Sequence, residues 1–153
     1  MSNLKIRLWK EGEPVPWQLL LDADSSRVEV RKYLNRGELW VAEKDKKVIG
    51  AMVLLQTRID VVEIVNIATM QKHRSQGVGT ALLRKAKARA KNLKAHMLQV
   101  GTGNNSFPQL IFYQRFGFRI VGVERDFFVK RYKKKYERSG VVLRDMVRLE
   151  MPV

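Results

Sequence analysis

The residues with the clearest chemistry are His73-Arg74-Ser75-Gln76-Gly77-Val78-Gly79-Thr80-Ala81-Leu82-Leu83, a glycine-spaced turn that runs into a helical pattern. Val78, Leu82, Ala86, Ala90 and Leu93 recur near helical spacing, while Arg84, Lys85, Lys87, Arg89, Lys91 and Lys94 fill the rest of the circumference. The first amides of a helix have no partner within it and sit at the positive end of the macrodipole, so this turn suits an anion. Gly77 and Gly79 let a phosphate approach the backbone and allow φ values that other residues resist. The run lacks the Gly-Lys-Ser/Thr of a P-loop, and Gly101-Thr102-Gly103 fails the dinucleotide fingerprint because Ser106 stands at its sixth place.

Arg74-x-x-Gly77-x-Gly79 does match another pattern: it resembles the coenzyme A pyrophosphate motif of the GCN5-related N-acetyltransferases (GNAT). Leu110-Ile111-Phe112-Tyr113-Gln114-Arg115-Phe116-Gly117-Phe118 is similar to the same family's helix-to-strand signature, and the two motifs stand at the family's usual separation. The resemblance is tightest from Glu38 to Val123. It implies an α/β, single-domain acyl-CoA N-acyltransferase (GNAT) fold, with a mixed, mostly antiparallel sheet flanked by helices, over residues 1–153. It also implies transfer of an acetyl group from acetyl-CoA to a primary amine by direct attack, with a small-molecule or peptide amine as acceptor and no metal.

Acetyl transfer needs a neutral amine, a stabilised oxyanion and a protonated leaving thiolate. The resemblance places Tyr113 near the coenzyme sulfur, where a phenol of pKa ~10 can protonate the thiolate; its alternative is a core tyrosine that anchors its helix. Glu63 falls where some members keep a general base, and strand alternation sets Glu63, Val65, Ile67 and Thr69 on one face. A carboxylate paired with one of the many cations, with a water relay as base, stands equally beside that reading. Ile67, Ala68 and Thr69 occupy the family's pantetheine-pairing strand, with the Ile67 amide the candidate for the acetyl carbonyl. Arg74, Ser75, Gln76, Gly77, Val78, Gly79 and Thr80 would cradle the pyrophosphate. The family often has Asn seven residues before the tyrosine; here Ser106 is in that place with Asn105 beside it, and either is a candidate for the pantetheine.

The elements that must position these groups follow from pattern. β-branched residues make 61–69 a strand, followed by a helix over 77–93, a strand over 96–101, a helix over 106–115 that starts around Phe107 because of Pro108, and a strand over 117–125. Upstream, Leu4, Ile6 and Leu8 alternate as a strand, which Pro14 and Pro16 break. Ser25 or Ser26 caps a short helix that ends at Asn35-Arg36-Gly37, and a hairpin turns at Lys44-Asp45-Lys46. Downstream, Val141 to Met151 alternates as a closing strand.

Thirty Lys plus Arg against fifteen Asp plus Glu give a net charge of +15, which attracts polyanions, coenzyme A among them. Lys130 to Arg138 interleaves cations with tyrosines, as a single-stranded nucleic-acid site would, although a solvated loop with its aromatics tucked inward is the favoured reading. A basic nucleic-acid-binding or acetyl-CoA-sensing module on an inactive scaffold is the alternative to an enzyme. The net charge favours an anionic or zwitterionic amine over a polyamine, against which stand Glu11, Glu13, Asp22, Asp24 and Glu29 as a local acidic patch. The absence of cysteine excludes disulfides, thiolate metal sites and a cysteine nucleophile, and His73 and His96 lack metal-ligand spacing. Without an export leader or an apolar run near ~20 residues, a cytoplasmic protein, monomeric or homodimeric, with no membrane partner is expected.

Overall fold

The computed structural model describes residues 3–153; Met1 and Ser2, the opening of the expected domain, lie outside them. The elements in chain order are β1 (Leu4–Leu8), α1 (Trp17–Ala23), α2 (Arg27–Leu34), β2 (Glu38–Lys44), β3 (Lys47–Arg58), β4 (Val61–Thr69), α3 (Val78–Asn92), β5 (Met97–Gly103), α4 (Phe107–Phe116), β6 (Arg119–Glu124), α5 (Phe127–Arg131), β7 (Glu137–Arg138), β8 (Val141–Val142) and β9 (Met146–Pro152). Seven strands form one sheet in the order β1-β2-β3-β4-β5-β9-β6, and β7 pairs with β8 apart from it. Among the described residues only β4 and β5 run parallel, as the crossover through α3 requires, so the sheet is mixed and mostly antiparallel.

Helices cover both faces of the sheet. One core layer joins Met52, Leu54, Val62 and Ile64 to Leu82, Leu83 and Ala86 of α3 and Tyr113 of α4. The other joins Val41, Ala51 and Val53 to Leu19 and Leu20 of α1 and Val30 of α2. The hairpin between β2 and β3 turns on Asp45 and Lys46, both with positive φ (51° and 66°), the conformation whose twist suits a two-residue hairpin. Ser26 caps α2, its Oγ accepting from the amide of Glu29 at 3.3 Å.

Three parts of the fold depart from the sequence pattern. Pro14 and Pro16 do more than end β1: Pro16 is the N-cap of α1, whose Leu19 and Leu20 are buried. The expected closing strand over 141–151 is two strands, because Asn104 Oδ1 accepts from the amides of both Arg144 (2.8 Å) and Asp145 (3.0 Å) and fixes a corner there. The third is a bulge in β4. Val53 pairs with Asn66 but Leu54 pairs with Ile64, so Val65 is an extra residue with no opposite number. Val65 and Ala68 pack with the α1–α2 layer and Ile67 with the α3–α4 layer, whereas unbroken alternation would have set Glu63, Val65, Ile67 and Thr69 together.

Candidate active site

The turn before α3 is built for an anion. Gly77 is the N-cap at φ 85°, a conformation that strains any residue with a Cβ, and open space surrounds it. The first helical bond runs from the Ala81 amide to the Gly77 carbonyl, so the amides of Val78, Gly79 and Thr80 precede it. Ser75, also at positive φ, and Gln76 are exposed at the same end, as is Arg74, whose Nε donates to the Thr69 carbonyl at 3.3 Å. The requirement at Gly79 differs from the expectation. A Cβ there would stand 3.0 Å from Cζ of Phe112, so this glycine lets α4 pack on the start of α3 rather than clearing space for phosphate.

A notch opens between β4 and β5. Their parallel pairing stops at Ile64 with Val100, while β4 continues with β3 to Thr69 and β5 continues with β9 to Gly103. Val65 to Thr69 therefore present an edge unpaired on the β5 side, the kind of edge that an extended amide-bearing chain can join. Together with the anion cradle at the start of α3, this edge makes a site suited to an extended amide-bearing arm that carries a negative charge at one end.

A cavity of about 520 Å³ occupies this notch, within the usual range of small-molecule sites. On the α4 side it is lined by Tyr113, Ser106 and Gln109, and on the α1–α2 side by Asp24, Tyr33, Glu63 and Asn66. Tyr113 is buried (4 % exposed) against Phe112 and Phe118, with ring centroids 5.5 and 5.8 Å away. The Gly-Phe signature explains that packing: Gly117 at φ 127° ends α4, and the amide of Phe118 returns to the Tyr113 carbonyl at 3.0 Å. No described residue bonds the Tyr113 hydroxyl, and burial alone pushes its pKa well above the ordinary tyrosine value, which keeps it a proton donor.

Asn105 and Ser106 separate cleanly. The buried Asn105 side chain donates to the Val141 carbonyl at 2.9 Å and ties down β8, outside the residues that line the cavity. Ser106 caps α4 and lines the cavity, with no side-chain capping bond.

Glu63 lies on the other side of the notch. Burial raises its pKa above the ordinary carboxylate value; the nearby Arg148 guanidinium, 3.4 Å away, pulls the other way. The expectation that it shares a strand face with Ile67 and Thr69 fails because of the bulge at Val65, and it shares the α1–α2 layer with Val65 instead. Near it, a polar chain links four elements. Asn66 Nδ2 donates to the Leu20 carbonyl (2.9 Å) and to the Tyr33 hydroxyl (2.8 Å), and Tyr33 donates to Asp24 (3.3 Å). Asp24 also accepts from Tyr132 (2.6 Å) and Arg131 (2.8 Å), so α5 is fastened across the cavity mouth. Burial first, then the Asp24 carboxylate, pushes Tyr132 up to about 12. The Asn66 Oδ1 is buried without a partner among the described residues.

Sequence reasoning singled out none of Tyr33, Phe127, Phe128, Tyr132 or Arg148 for this cavity. The only signal for Phe127, Phe128 and Tyr132 was aromatic content between Asp126 and Tyr136. Lys133, Lys134, Lys135 and Tyr136 are exposed and Phe128 and Tyr132 half-buried, with Phe128, Tyr132 and Tyr136 in a ladder whose centroids lie 5.9 and 6.1 Å apart.

Comparison with known proteins agrees with this geometry. An acetyltransferase (GNAT) domain model matches residues 35–120. The chain is 42 % identical over 149 residues to the uncharacterized N-acetyltransferase YvbK of Bacillus subtilis, covering 97 % of this chain and 96 % of that one. It superposes with TM-score 0.97 on a GNAT family acetyltransferase from Elizabethkingia anophelis with acetyl-CoA bound, 37 % identical over the whole of both chains. A Bacillus subtilis acetyltransferase in complex with CoA gives TM-score 0.92 at 41 % identity, covering 98 % of this chain and 99 % of that one. The chain belongs to the GNAT acetyltransferase family and is an acetyl-CoA-dependent N-acetyltransferase.

Proposed function

We propose that the acceptor is a small-molecule or peptide amine and that Glu63 and Tyr113 are the base and acid of a direct transfer within a single cytoplasmic domain. One observation carries the reading: a single cavity passes through the notch with Tyr113 on one side of the sheet and Glu63 on the other. Acetyl-CoA, when bound, supplies the activated acetyl group and its sulfur leaving group. Arg74 and the backbone from Ser75 to Thr80 hold the pyrophosphate; the edge formed by Ile67, Ala68 and Thr69, with Ser106 across the notch, holds the pantetheine arm. Asn105 acts only through the loop it secures, and the Ile67 amide is assigned to the acetyl carbonyl. An ammonium acceptor gives its proton to a Glu63 carboxylate oxygen, which frees the nitrogen lone pair to form the C–N bond as the C–S bond breaks. The Tyr113 hydroxyl protonates the departing sulfur and is restored by the second proton leaving nitrogen; the proton on Glu63 passes to solvent.

CoA release measured over a panel of amines, alongside calorimetric binding of CoA, tests this. Turnover in the parent, with Tyr113→Phe and Glu63→Gln each losing turnover but retaining CoA affinity, is the expected result. Undiminished turnover in both variants would overturn the assignment.

A further inference from the structure

Arg148 stands on β9 directly opposite Gly101 of β5, where no Cβ stands in the way of its guanidinium. A Cβ on Gly101 would lie 2.5 Å from Met146 Sδ and 3.3 Å from Arg148 Nη1, so the glycine leaves room for both side chains, and the arginine crosses β5 toward β4. There Nη1 is 3.4 Å from Glu63 Oε2, longer than the 2.7–2.9 Å of a strong charge-assisted bond. Nη2 binds Glu124 at 2.9 Å, but Glu124 is half exposed, and an ion pair with a solvated carboxylate exchanges readily. The guanidinium lies 5.8 Å from the Phe127 ring centre and lines the cavity beside Phe127 and Phe128. A cation is thus held next to the base, against an aromatic wall, by one long bond and one replaceable one. The other acceptor-side cation with a carboxylate partner, Arg131, is committed to Asp24 at 2.8 Å.

From this arrangement we infer that Arg148 receives a carboxylate of the acceptor, and that the acceptor is a small zwitterion: a free amino acid with an apolar or aromatic side chain. Its carboxylate displaces Glu124 from Arg148, its ammonium takes the place of Arg148 at Glu63, and its side chain lies against Phe127 and Phe128. Each half of the Glu63–Arg148 pair exchanges its partner for the opposite charge of the substrate, so neither is left buried and unpaired. The exchange also removes from Glu63 the cation that restrains its basicity as the amine proton must move. The inference rests on the Glu63 role proposed above.

The test compares phenylalanine with phenethylamine, which differ by the carboxylate, as acceptors for the full chain with acetyl-CoA. A charged hydrogen bond of the usual strength predicts kcat/KM roughly 10- to 100-fold higher for phenylalanine, with that ratio collapsing toward one in Arg148→Ala and recovering in part in Arg148→Lys. In the parent, 3-phenylpropionate, which has the carboxylate but no amine, should inhibit competitively against the acceptor, a readout that needs no variant to fold. Phenethylamine or a polyamine used as well as phenylalanine, a ratio that survives Arg148→Ala, or absence of that inhibition overturns the inference while leaving transfer through Glu63 intact. An unaltered rate in Glu63→Gln, with phenylalanine still preferred, would instead overturn the base role and with it the exchange described here.

Discussion

Replacing Tyr113 by Phe removes one oxygen from a residue that is 4 % exposed and keeps its packing against Phe112 and Phe118. Because no described residue bonds that hydroxyl, the change forfeits none of the ~1 kcal/mol that a paired hydroxyl contributes, and stability should move by less than that. If the hydroxyl protonates the leaving sulfur, kcat should fall by roughly 10² to 10⁴, equivalent to about 2.7–5.5 kcal/mol of activation free energy, with KM for acetyl-CoA nearly constant. Burial raises the Tyr113 pKa, so the folded protein keeps this proton where the unfolded chain begins to lose it. The associated stability is complete below the unfolded value near ~10 and is lost as pH climbs above it, so the variant should lose less stability on alkaline titration than the parent. Stopped-flow CoA release and thermal melts from neutral to alkaline pH measure both effects. Unchanged kcat, or a melting temperature lowered enough to account for the lost activity, would refute the acid role.

Glu63→Gln should depress the rate most at low pH, where less of the amine is already neutral, and a pH–rate profile of unchanged shape would assign the base elsewhere. Since the folded pKa of Glu63 is raised, its favourable contribution exists at acid pH and disappears as pH rises through that raised value; the Gln variant should therefore melt higher than the parent at neutral pH but not in acid. Arg74→Ala should raise KM for acetyl-CoA roughly 10- to 100-fold at low salt, less at high salt, with kcat preserved at saturation; a salt-independent or absent effect would remove Arg74 from the cradle. Gly79→Ala should destabilise by about 1–3 kcal/mol through its contact with Phe112, and most of that loss should vanish when the same change is made in a Phe112→Ala background, whereas additive losses would contradict the contact.

Much of this architecture is legible in the sequence because it depends on short-range rules. The glycine and arginine spacing marks the start of α3, the β-branched run marks β4, and Ser26 and Gly117 punctuate their helices through local backbone geometry. The acceptor side is less legible for an equally physical reason. Asp24, Tyr132 and Arg131 meet at 2.6 and 2.8 Å from positions more than a hundred residues apart, and no local period encodes that meeting. Asn105 and Ser106 were indistinguishable by spacing, since the choice depends on the Val141 carbonyl, supplied by a hairpin 36 residues away.

The bulge at Val65 is the feature that alternation could not foresee, and the roles proposed for Glu63 and Ile67 depend on it. A strict two-residue period would have pointed Glu63 and Ile67 toward the same helical layer, with base and cofactor edge crowded on one face. One inserted residue turns Ile67 to the α3–α4 layer while Glu63 stays in the α1–α2 layer, just where β4 ceases to pair with β5. Tyr113 and Glu63, the proposed acid and base, thus lie on opposite sides of a sheet that is open between them, and on that proposal an amine entering past α5 and a thioester lying along β4 would approach each other through the opening. Direct attack needs that geometry, because the nucleophile and the leaving sulfur must be served by different groups at the same time. Deleting Val65 would leave Asn66 opposite Val53 and Ile64 opposite Leu54 in regular alternation, so Ile67 and Glu63 keep their separate layers. A variant that folds and retains transfer would show that this separation, and not the bend of the bulge itself, is what the reaction needs, whereas loss of transfer would assign the requirement to the bulge.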